Sequence, residues 1–62
     1  MSDTLMTVDE AARELRVNAR KIYQFIQSGE LIAMNIGTEG RKIFRITRSD
    51  FDAFLQSRKQ KH

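Results

Sequence analysis

Thr7-Val8-Asp9-Glu10-Ala11-Ala12-Arg13-Glu14-Leu15-Arg16-Val17-Asn18-Ala19-Arg20-Lys21-Ile22-Tyr23-Gln24-Phe25-Ile26-Gln27-Ser28-Gly29 is the stretch that decides the fold. Threonine followed three places later by glutamate is a capping box. The Thr7 hydroxyl takes the Glu10 amide, and the glutamate reaches back to the start of the helix. Val8, Ala11, Ala12 and Leu15 then recur at helical spacing, which predicts a helix from Val8 to about Leu15. Asn18 is a good N-cap for a second helix, with Ile22, Phe25 and Ile26 as its apolar stripe. Gly29 takes a positive φ without strain and ends it.

The link between the two helices is about three residues, the spacing of a helix-turn-helix. Beyond Gly29 the pattern changes from helical to strand-like. Leu31–Ile36 and Arg41–Ile46 flank Gly37-Thr38-Glu39-Gly40 and read as a hairpin, with Phe44 and Ile46 inward and Arg45 outward. Thr47 caps a third helix, whose Phe51, Phe54 and Leu55 stand at i, i+3 and i+4. Phe25, Phe44, Phe51 and Phe54 are expected in the core. The expected fold is mainly α with a β-hairpin, a winged helix-turn-helix in the order helix, turn, helix, hairpin, helix. Its expected parts are an N-terminal segment at 1–6, the domain at 7–57 and a basic tail at 58–62.

Composition narrows what such a domain does. The 62 residues suffice for one domain, and a chain this short buries only about 60% of the surface that its unfolded form exposes. It has no cysteine and one histidine, His62, which excludes the usual structural zinc sites. No nucleophile–base pair, metal-ligand cluster or phosphate-cradling glycine loop is evident, so the expectation is a protein without catalytic activity or cofactor. The N-terminus carries Asp3 and no basic run, and no apolar stretch is long enough to span a bilayer. A cytoplasmic location with no membrane partner follows as the expectation. Net charge is +3, a slight lean toward a polyanion.

Charge placement says more than net charge. On the second helix Arg20, Gln24 and Gln27 fall opposite the apolar stripe, with Lys21 and Tyr23 on its flanks and no acid among them. Arginine forks onto guanine and glutamine pairs with adenine in the major groove of double-stranded DNA. The first helix turns Asp9, Glu10, Arg13 and Glu14 outward, a mostly acidic face that DNA repels. Arg41 and Lys42 sit at the hairpin tip and Arg45 on its outer face, set to reach phosphates or the minor groove. Glu39, also at the tip, opposes that use. Tyr23 has two readings, a hydroxyl donated to phosphate or a ring packed at the core edge.

The residues Thr7-Val8-Asp9-Glu10-Ala11-Ala12, Leu15, Val17, Ile22-Tyr23-Gln24-Phe25-Ile26 and Ser28-Gly29-Glu30-Leu31 resemble the excisionase-type helix-turn-helix domains. Ile36-Gly37, Phe44-Arg45-Ile46 and Asp50-Phe51-Asp52-Ala53-Phe54-Leu55 continue the likeness. That family has a winged fold related to the DNA-binding domains of the mercury-resistance (MerR) regulators. The resemblance implies a second helix in the major groove, through Ala19, Arg20, Lys21, Tyr23 and Gln24, and a wing at the minor groove, through Arg41, Lys42 and Arg45. It also implies DNA bending at attachment sites, cooperation with further copies on repeated sites, and assistance to a tyrosine integrase. This chain departs from the family at Ala19, where many members carry a base, and at Thr38-Glu39-Gly40, which lengthens the wing. The alternatives are a small transcriptional regulator and, in another class, a protein-interaction module. Salt dependence of binding separates DNA from protein as the partner.

Overall fold

The computed structural model describes residues 3–59. The elements run β1 (Leu5–Thr7), α1 (Val8–Leu15), α2 (Ala19–Ser28), β2 (Met34–Asn35), β3 (Phe44–Thr47) and α3 (Arg48–Arg58). The expected winged helix-turn-helix order is present, with an added strand at the front.

Local hydrogen bonds set every helix start. Thr7 and Glu10 form the reciprocal capping box, at 3.0 Å from Glu10 N to Thr7 Oγ1 and 2.8 Å from Thr7 N to Glu10 Oε1. The Lys21 amide donates to Asn18 Oδ1 at 3.0 Å, and the Asp50 amide to Thr47 Oγ1 at 3.1 Å. The turn between α1 and α2 is made by Arg16 in the left-handed region at φ 57°, unusual for a residue with a Cβ. The Val17 amide then bonds the Ala12 carbonyl at 3.0 Å. Gly29, at φ 85°, closes α2.

The sheet differs from the expected two-stranded hairpin. Leu5–Thr7 pairs antiparallel with β3, matching Leu5 to Thr47, Met6 to Ile46 and Thr7 to Arg45. β2 pairs with the other edge of β3, so the strand order is β1-β3-β2. Leu5 and Met6, expected in a segment ahead of the domain, thus belong to its sheet, and Met6 is buried. The regular part of β2 is also shorter than the expected run of Leu31–Ile36. Asn35 explains its early end. Its side-chain oxygen accepts the amides of both Gly37 and Ile43 at 3.0 Å, a side chain replacing strand pairing at the base of the wing loop.

Met6, Val8, Ala11, Ala12, Ile22, Leu31, Ile46, Phe51 and Phe54 form the buried core. Phe25 and Phe44 are half-buried and pack against its rim. Successive strand residues point to opposite faces. Since Met6 and Ile46 face inward, Leu5 and Met34 lie with Arg45 on the outer face, where Leu5 and Met34 are exposed. Ile32, Ile36 and Ile43 nearby are exposed as well.

Two ion-pair clusters tie α3 to the rest. Arg48 bonds Glu14 at 2.6 Å and Asp52 at 3.3 Å. Arg58 bonds Glu30 at 2.7 Å and lies over the rings of Phe25 and Phe54. Arg58, expected in a solvated tail, is therefore the last residue of a docked helix. Lys59 is the C-cap of that helix, its amide donating to the Gln56 carbonyl at 3.2 Å, and residues 60–62, the rest of the expected tail, lie outside the described residues.

Candidate nucleic-acid interface

The second helix owes its orientation to Ile22, which is fully buried, and to half-buried Ala19, Phe25 and Ile26. With that face fixed, Arg20, Lys21, Gln24 and Gln27 are exposed. Arg20 and Gln24 are one turn apart, a rise of about 6 Å that matches roughly two base-pair steps. No acid interrupts α2. Ala19 differs from the rest of the expected set because its methyl group packs against the core, leaving its backbone at the start of the helix. Lys21 holds its ammonium 5.4 Å from the centre of the Phe25 ring.

The wing stands beside this helix and leaves a groove between them. One part, of about 350 Å³, is lined by Thr7, Val8, Asp9, Tyr23, Arg41, Lys42, Ile43, Phe44 and Arg45. A second part, of about 230 Å³, lies between Tyr23, Ile26 and Gln27 on the helix and Lys42 and Phe44 on the wing. Tyr23, Lys42 and Phe44 line both. Cations and an aromatic hydroxyl thus surround an apolar floor made by Phe44. Such a channel suits a phosphodiester strand, whose sugars are apolar and whose phosphates are anionic.

The wing loop is built to be closed. The Thr38 amide donates to the Arg41 carbonyl at 2.9 Å, and the Arg41 amide returns a bond to Thr38 Oγ1 at 3.1 Å. The Ile36 amide bonds the Ile43 carbonyl at 2.8 Å. Gly37 has no room for a side chain, because a Cβ there would run into the Arg41 carbonyl oxygen and sit 3.0 Å from the Ile43 nitrogen. Glu39 and Gly40 form the tip, and Arg41 and Lys42 follow in the irregular segment that leads into β3.

Of the two sequence readings of Tyr23, the ring packing at the core edge is the one present. Its ring packs edge-on against Phe44, with centroids 6.2 Å apart, yet the residue is 48% exposed. Arg45 lies on the outer face as expected, but it is only half exposed and its guanidinium donates to the Phe44 carbonyl at 3.0 Å. None of the ion pairs among the described residues involves Arg16, Arg20, Lys21, Arg41, Lys42 or Arg45. Their charge is not neutralised within the fold.

Sequence reasoning missed two residues beside this surface. Arg16 is an exposed cation in the turn that leads into α2. Asp9 was grouped with Glu10 and Glu14 on one acidic face, but the fold separates them. Asp9 lines the basic groove, whereas Glu10 and Glu14 line a hollow on the other side with Arg13 and Arg48. The signal was in the helix geometry, since about 100° of rotation divides Asp9 from Glu10.

Among the described residues no group of histidine, cysteine and carboxylate side chains is placed to hold a metal ion. No helix among them is long and apolar enough to cross a membrane. Comparison with known proteins matches residues 5–59 to a family described as a helix-turn-helix domain. No curated protein and no solved structure gives a significant match. A helix-turn-helix is a DNA-binding module, and both its helices, its wing and its third helix lie within the matched span. The chain belongs to the excisionase-like helix-turn-helix family.

Proposed function

We propose that this chain binds double-stranded DNA sequence-specifically in the cytoplasm, as an excisionase that bends attachment-site DNA and biases a tyrosine integrase toward excision. The observation that carries the reading is a groove with Tyr23 and Gln27 of α2 on one side and Arg41 and Lys42 of the wing on the other, beside the exposed and unneutralised Arg20 and the exposed Gln24 on the same helix. Helix α2 enters the major groove, where Arg20 and Gln24 read base edges. The wing meets the adjacent minor groove with Arg41, Lys42 and Arg45. The strand dividing the two grooves then runs through the channel between α2 and the wing, where Tyr23 donates its hydroxyl to a phosphate. Lys21 and the Ala19 backbone meet the same strand at the start of the helix.

Holding two adjacent grooves at once favours a bent duplex, because the wing's reach is fixed by its closed loop. The exposed apolar residues Leu5, Ile32, Met34 and Ile36 support contact with a second protein while DNA is held, either a copy on the next repeat or the integrase.

The test is capture of fragmented genomic DNA by the purified protein at about 150 mM salt, where non-specific phosphate binding is weak, followed by sequencing. Enrichment of tandem sites beside the end of an integrative element is the expected result. Enrichment at promoters alone identifies a transcriptional regulator instead. Failure to retain any specific DNA refutes sequence-specific binding and leaves a protein-interaction module.

A further inference from the structure

We propose that Asp9 is a discriminating residue of the DNA interface, whose carboxylate keeps the phosphate strand to the Ile26–Gln27 part of the groove and penalises complexes in any other register. The proposal rests on the DNA-binding reading above. Asp9 is exposed and shares the walls of the larger part of the groove with Arg41, Lys42 and Arg45. No ion pair joins it to any of these cations, although the same fold makes close pairs at Arg48 and Arg58. Its backbone is held firmly, because the capping box of Thr7 and Glu10 encloses it.

An unpaired carboxylate in a basic channel does not hold the wing in place. It does present negative charge to any phosphate that enters at the α1 end. The inner part of the groove, between Tyr23, Gln27 and Lys42, has no acid on its walls. A strand positioned by the base contacts of Arg20 and Gln24 follows that inner part and avoids Asp9. A strand held only by cations samples both parts and meets the repulsion. Asp9 thus weakens non-specific binding more than specific binding, which raises the ratio between them. Glu39 does not duplicate this role, because it lies at the wing tip and lines neither part of the groove.

A purely structural role is also available, since an acid in the first turn of a helix interacts favourably with its dipole. The two roles differ in what removal does to DNA binding. Asp9→Asn removes the charge with little change of shape. Repulsion between unit charges about 4 Å apart in water corresponds to roughly fivefold in affinity. The variant should therefore bind a random-sequence duplex about fivefold more tightly at low salt, with a salt slope steeper by up to about 0.9. Affinity for the duplex most enriched by genomic capture should change less than twofold. Glu14→Gln, which removes an acid paired to Arg48 outside the groove, should leave both affinities unchanged. Thermal melting of each variant checks that the fold is retained.

Wild-type protein that holds both duplexes, with Asp9→Asn either unchanged on both or equally improved on both, overturns the role of Asp9 alone. Weaker binding of random DNA by the variant also overturns it, because Asp9 would then be a contact. Wild-type protein that holds neither duplex overturns the DNA reading itself, and the role of Asp9 with it.

Discussion

Gly37→Ala separates the wing from the rest of the fold. The added methyl group meets the Arg41 carbonyl oxygen, which is backbone and has no flexible side chain to yield. To seat it, the loop must open between Gly37 and Arg41. That breaks the bonds between Thr38 and Arg41 and strains the two amide bonds to Asn35. Exposed hydrogen bonds fall at the low end of about 0.5–1.5 kcal/mol each, so two or three of them amount to about 1–2 kcal/mol. In a domain this small the corresponding fall in Tm is roughly 4–16 °C. No residue from Gly37 to Lys42 belongs to the core, so the helical signal should survive. DNA binding should suffer more, because the open loop no longer holds Arg41 and Lys42 over phosphate. Loss of two phosphate contacts flattens the log–log salt slope by about 1.8. Gly40 is the control, since a Cβ there meets nothing within 4 Å and its φ is not positive. Gly40→Ala should leave melting and salt slope unchanged. Calorimetry and DNA binding across a salt series read both quantities. An unchanged slope in Gly37→Ala with a lowered Tm would refute wing contact with phosphate. Loss of the helical signal would refute the independence of the wing.

Replacing Arg20 or Gln24 with Ala should relax specificity at one base position, at a cost of about 1–3 kcal/mol measured by competition between related duplexes. Lys42→Ala, at a residue that lines both parts of the groove, should instead weaken all sequences evenly and flatten the salt slope. Tyr23→Phe should preserve Tm, because the ring contact with Phe44 remains, while losing about 1.5–3 kcal/mol of DNA affinity for one hydrogen bond to a charged group. Met6→Ala should cost about 2–5 kcal/mol in urea unfolding, because a side chain only 7% exposed is removed from the core; stability equal to wild type would place β1 outside the domain. Asn18→Ala should cost about 1 kcal/mol by the same assay, the usual value of a helix N-cap.

The helices were legible because their boundaries are written in bonds between residues three apart. Thr7, Asn18 and Thr47 each cap the helix that follows, and each signal is complete within four residues of sequence. β1 had no such signature. Three residues are too few to display an alternation, and its partners lie about forty positions further on, from Arg45 to Thr47. Thr7 also hid the strand, because one residue ends β1 and caps α1 at once. The extent of β2 was obscured for a different reason. Leu31 and Ala33 pack toward the core while Ile32, Met34 and Ile36 are exposed, so both sides of the run are apolar and the pattern does not say where pairing stops. On α2 the periodicity separated buried from exposed residues, whereas Ala19, offered for DNA contact by the family resemblance alone, places its small side chain on the core rim.

The candidate interface depends on where the acids are used, which net charge does not reveal. Lys and Arg outnumber Asp and Glu by 11 to 8, a margin too small to choose DNA over any other partner. The fold changes that balance locally. Glu14 and Asp52 are held by Arg48, Glu30 by Arg58, and Glu10 by the Thr7 amide. The two arginines so engaged anchor α3 and contribute little to the α2–wing surface. Among the described residues Arg16, Arg20, Lys21, Arg41, Lys42 and Arg45 are left without carboxylate partners, opposed near the groove by Asp9 and, at the tip, by Glu39. Surface ion pairs contribute at most about 1 kcal/mol each, so stability alone gives little reason for this segregation. Its larger consequence is electrostatic, because retaining the acids elsewhere turns a nearly balanced chain into one with a basic face.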